Sequence, residues 1–126
     1  MTNEVNLIGG WIGILAGVLC GAVMGVFFHD ENWLGGYGTF ARRLTRLGHI
    51  SFFGLGFVNI LFGLTIREMV GHSAELRVAS ISLLIGAAAM PICCFLTAWK
   101  KGMRHLFPIP VAAVTVGIVA LLMSWR

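Results

Sequence analysis

The chain has 126 residues, of which 58% are hydrophobic and only 11% charged, with a mean hydropathy of +0.90 and a formal net charge of +4. A soluble domain carries about a quarter charged residues, so this composition excludes one and makes a bilayer the expected solvent. At about 20 residues per span there is room for four helices with short connections and for nothing else, which predicts an all-α integral membrane four-helix bundle in antiparallel up-down order.

The first six residues, MTNEVN, include Glu4 and no Lys or Arg. A signal or transit peptide begins with basic residues, so the first helix, about residues 5–28, is expected to be retained. Along it Gly9, Gly13, Gly17, Gly21 and Gly25 recur at every fourth position. Residues four apart advance about 400° around a helix, so this ridge drifts by about 40° per step, as at a GxxxG helix crossing. A ridge with no side chains demands a close neighbour: another helix, a partner subunit, or a flat ligand such as a lipid, quinone, haem or pigment ring.

The first connection, HDENWLGGYGTFARRLTRLGH, carries His29 and the turn LGGYG, after which Thr39 is placed to cap the second helix, about 39–69. In its first turns Phe40, Leu44 and Leu47 share one face while Arg42, Arg43 and Arg46 take the other. The arginines are therefore expected at the headgroups or against a partner. Trp11, Trp33, Tyr37, Trp99 and Trp125 mark an interfacial aromatic belt.

His49 stands a turn before the apolar run ISFFGLGFVNILFGL. Neutral imidazole is a common axial ligand of b-type haem, so His49 with His105 or His29 is a candidate pair; phosphate or carbonyl contact is the simpler role for interfacial histidines. The stretch RLGHISFFGLGFVNILFG resembles the His-then-Gly helices of haem–copper oxidase catalytic subunits, where an early histidine ligates haem and is followed by LGW and a later FG. The resemblance covers about one helix. It lacks the second histidine of the HxH form and the histidines of the copper site, so it implies haem ligation at His49 and not oxygen reduction. Asn59, mid-helix, is expected to hydrogen-bond to another helix, with Ser80, Ser82 or Thr115 as partners.

In the second connection Gly71 is suited to stop helix two and Ser73 to cap helix three, about 75–99. Pro91 is expected to kink that helix. Met90, Cys93 and Cys94 are soft donors, but neighbouring cysteines point about 100° apart on a helix and show no CxxC spacing, so buried thiols are expected and no metal site. Lys100, Lys101, Arg104 and His105 fill the third connection, and Pro108 and Pro110 open helix four, about 106–125.

Six basic residues, Arg42, Arg43, Arg46, Lys100, Lys101 and Arg104, lie in connections one and three, against Arg67, Arg77 and Arg126 on the other side. The positive-inside rule then puts both termini outside the cytoplasm and His29, His49 and His105 at the cytoplasmic face, with His72 opposite. All acids lie in connections or at helix ends, which disfavours an ion-coupled carrier. No nucleophile stands beside a base and no phosphate loop is present, so no enzyme is expected. The sequence reading is a small non-catalytic subunit or accessory protein of a larger complex, homo- or hetero-oligomeric, in a cytoplasmic or inner membrane, with an energy-transducing role. Its partners would be the lipid bilayer and other membrane subunits, not nucleic acid. The alternatives are a haem-binding membrane protein and a small passive channel.

Overall fold

A computed structural model of the chain describes residues 2–69, 71 and 73–125. All regular structure among these residues is helical: α1 (Thr2–Phe28), α2 (Phe40–Arg67), α3 (Ala74–Trp99) and α4 (Pro108–Met123), with short 3-10 segments at Trp33–Gly35 and Lys101–Leu106. All four helices are long and apolar enough to cross a membrane, the last when counted from Lys101 to Met123.

The helix ends follow local chemistry. The Thr39 hydroxyl accepts the Arg42 N–H at 3.3 Å and opens α2, and the Ser73 hydroxyl does the same for Leu76 at the start of α3. α2 stops at Arg67, two residues before the expected end. The Glu68 N–H turns back onto the Thr65 and Ile66 carbonyls, and Gly71, at φ 106°, supplies the reversal rather than the helix stop. Pro91, expected to interrupt the third helix, is buried within α3, which runs on as one helix to Trp99. His72 lies outside the described residues.

Packing registers show how the helices run. Asn3 and Leu7 of α1 meet Gly63 of α2, and Gly17 meets Phe53, so the two helices are antiparallel. Gly48 of α2 lies against Cys94 and Phe95 of α3, while Gly86 and Gly117 set the same sense for α3 and α4 through Val114 and Leu83. α1 and α3 are parallel, with Gly9 against Leu84. The apolar core, Phe62, Ile66, Leu76, Ala79, Leu83 and Ala120, sits toward the α2–α3 connection. α3 is the centre of the assembly. α4 docks on α3 and makes at most marginal contact with α1 and α2, so the fourth helix flanks a three-helix unit instead of closing a ring with it.

Candidate functional site

The glycine ridge meets the chain's own second helix. A Cβ on Gly17 would lie 2.8 Å from the Phe53 ring, one on Gly21 would lie 2.6 Å from His49 Nε2, and Gly13 faces the Phe52 carbonyl and Gly56. The drift of the ridge carries its ends elsewhere: Gly9 faces Leu84 of α3, and a Cβ on Gly25 would meet nothing within 4 Å. Gly10, outside the fourfold repeat, makes the closest approach to another helix's backbone, since its Cβ would stand 2.6 Å from the Gly56 carbonyl oxygen. The glycines are thus used first to bring α1 and α2 backbones together.

Asn59 is fully buried, and its chief partner is one that sequence reasoning missed. Asn6, also fully buried, donates from Nδ2 to Asn59 Oδ1 at 2.7 Å and to the Ser80 carbonyl at 3.3 Å, while the Ser80 hydroxyl donates to Asn6 Oδ1. Asn59 Nδ2 in turn donates to the Leu55 carbonyl at 2.9 Å and the Leu83 carbonyl at 3.2 Å. Ser80, one of the three expected partners, is therefore reached through Asn6. Thr115 instead bonds the Val111 carbonyl of its own helix. This knot ties α1, α2 and α3 at one level with its amide groups satisfied, the arrangement lipid demands of buried polar groups. The spacing Asn6, Gly10, Gly17 was the available signal, since it places Asn6 on the stripe that contacts α2.

Arg42 corrects the expected amphipathic face. It is 2% exposed, whereas Phe40 and Leu47 are 37% and 49% exposed, so the arginine points inward and the apolar side chains point out. In lipid this inversion is natural, because apolar groups lose nothing by facing hydrocarbon and a cation gains by finding protein oxygens. Arg42 donates to the Phe28 carbonyl at 2.9 Å and to the Asp30 and Glu31 carbonyls at 3.2 Å, closing the C-terminal end of α1. The Phe28, Trp33 and Tyr37 rings surround it at 4.7, 5.5 and 5.3 Å, so two residues read as an interfacial belt are walls of a cation box. Its Nε–H has no partner among the described residues. Arg43 is exposed; Arg46 lies over the Tyr37 ring at 4.4 Å with a long contact to the Tyr37 carbonyl.

Lys100, Lys101, Arg104 and His105 are exposed around the 3-10 segment between α3 and α4. Lys101 reaches back over the Phe40 ring at 4.9 Å, which brings connections one and three to the same end of the molecule. Cys20, Cys93 and Cys94 are free thiols, the last two buried. Among the described residues no three His, Cys, Asp or Glu side chains gather as a metal-holding group.

The histidines do not converge on one cavity. His29 and His105 are exposed in connections, while His49 is half-buried between Gly21 and Phe53, whose ring it meets edge-on at 5.4 Å. Beside His49 a groove of about 430 Å³ opens between α1 and α2, lined by Gly21, Met24, Gly25, Phe28, Arg46, His49 and Ile50. Neither His105 nor His29 lines it. At the opposite end Arg67 and Arg77 line a smaller pocket of about 130 Å³ with Ile66, Met69 and Leu76. No protein family, curated protein or solved structure matches the chain.

Proposed function

We propose that this chain is a small non-catalytic subunit or accessory protein of a larger membrane complex, working through the surfaces it presents to its neighbours. The observation that carries the reading is the Asn6–Asn59–Ser80 knot: the buried amides of the helices are spent on each other and on backbone carbonyls, which leaves them no free group for a substrate, an ion or a proton. A carrier or channel would need such groups along a path. The outer faces are apolar and free of other helices, with Ile8, Trp11, Leu15 and Leu19 on α1 and Ile109, Val116, Val119 and Leu122 on α4 all exposed. Because the glycines hold α1 to α2 within the chain, partner helices dock on these faces and not on the ridge.

The resemblance of the α2 stretch favours an energy-transducing membrane, and the basic residues of connections one and three favour termini outside the cytoplasm. A tagged chain, solubilised from its native membrane in mild detergent and run on a native gel, should migrate as one discrete hetero-oligomer of fixed stoichiometry. Trp11→Ala with Leu15→Ala should release the free chain while leaving its own helices folded by circular dichroism. Migration of the wild type as a free monomer, with a visible Soret band, would replace this reading with the haem-binding one.

A further inference from the structure

The groove between the last turns of α1 and the first turns of α2 is lined by two basic side chains, Arg46 and His49, whose charge and hydrogen-bonding capacity the chain's own packing does not use up. Its volume of about 430 Å³ falls within the range of about 300–1,000 Å³ typical of ligand sites. Gly21 and Gly25 form its floor. Gly21 is needed for packing, since His49 occupies the space of its Cβ, but Gly25 touches nothing and simply keeps the groove open. Met24 and Ile50 add apolar walls, and no carboxylate lines the groove.

The two basic side chains, Arg46 and His49, line this otherwise apolar groove without protein partners that match them. Arg46 is held by the Tyr37 ring and one long carbonyl contact and has no carboxylate partner among the described residues. His49 is half-buried, and neither of its ring nitrogens has a hydrogen-bond partner among the described residues. A half-buried imidazole and an uncompensated guanidinium side by side call for an acceptor that carries negative charge. The groove lies within roughly 10 Å of the end of α1, counted from Gly21 to Phe28, and its mouth is next to Trp33 and Tyr37. That is headgroup depth, where aromatic rings and basic side chains collect.

We propose that this groove is a binding site for one anionic glycerophospholipid, whose phosphate is held by Arg46 and His49 and whose acyl chain lies over Gly25. Charge complementarity selects the occupant: a neutral ring or a partner's apolar helix would fill the slot and leave both polar groups unpaired. The site depends on the groove alone and stands whether or not the chain has protein partners.

The test counts lipids on the delipidated full chain in detergent by native mass spectrometry, titrating with dioleoyl phosphatidylglycerol and separately with dioleoyl phosphatidylcholine. The wild type should bind the first phosphatidylglycerol at least roughly tenfold more tightly than phosphatidylcholine. Arg46→Gln should abolish that preference, whereas Arg43→Gln, which removes the same charge from an exposed position, should keep it. Gly25→Leu, whose side chain enters open space and leaves the fold intact, should lose both lipids. Equal binding of the two lipids by the wild type overturns the proposal. So does an equal effect of the two arginine substitutions, which would mean a diffuse field, and so does Gly25→Leu binding like the wild type.

Discussion

At the scale of single residues the chain resolves the cost of polarity in lipid in two ways, by pairing amides and by surrounding one cation with oxygens and rings. Arg42 is the clearer case. Its guanidinium spans three carbonyls that come from the end of α1 and the loop beyond it, which an ammonium on a flexible stem cannot do at once. Arg42→Ala should therefore cost roughly 3 kcal/mol, because it leaves those carbonyls and the box of rings without their cation. Arg42→Lys should recover less than half of the loss, and Arg43→Ala, at an exposed position, should cost nothing measurable. Thermal unfolding of the three variants in one detergent checks this order; equal midpoints for Arg42→Ala and Arg43→Ala would deny the box a structural role. The burial of Arg42 was within reach of the sequence. Stepping back from Asn59 by three or four residues through Gly56 and Gly48 leads to Thr45 and then Arg42, all buried. The amphipathic rule of a water-facing helix gives the opposite face, and this helix faces lipid.

At the scale of elements, the glycines separate into those that hold helices together and those that do not. Gly10→Leu or Gly56→Leu would thrust a side chain against a backbone carbonyl 2.6–2.9 Å away, and no rotamer relieves a clash with backbone. Either should force α1 off α2 and turn a monodisperse detergent preparation into an aggregating one. Gly54→Leu, with open space around it, should be tolerated, and size-exclusion profiles compared across these variants decide the matter. Equal tolerance would mean that the α1–α2 contact is not what the glycines serve. The spans and caps were legible in the sequence because hydropathy, Thr39, Ser73 and Pro108 are local signals. Which helix lies on a glycine ridge is not local. It depends on the phase of two helices at once, and Gly10 and Asn6, which share the face of Gly17, stand outside the regular fourfold series in the sequence.

At the scale of the whole molecule, α1, α2 and α3 form a unit locked by one polar knot, and α4 is attached to its α3 side. Orientation can be read by placing cysteines on a background lacking Cys20, Cys93 and Cys94. Thr45 is an unsuitable position, being only 9% exposed, so Gly102 and Ala74, both exposed and at opposite ends, are the informative sites. With the termini outside, a membrane-impermeant thiol reagent should label Ala74→Cys in intact cells and spare Gly102→Cys; the reverse pattern would invert the molecule and carry the lipid groove to the other leaflet. The knot also sets a timetable for synthesis. Asn6 leaves the ribosome 53 residues ahead of Asn59 and 74 ahead of Ser80. At translation rates of about 5–20 residues per second, the interval before Ser80 emerges is on the order of 4–15 s. Until Asn59 emerges the Asn6 amide has neither of its side-chain partners, and until Ser80 emerges its Oδ1 lacks a donor, so the first helix is expected to keep to a wetter place until the second and third arrive.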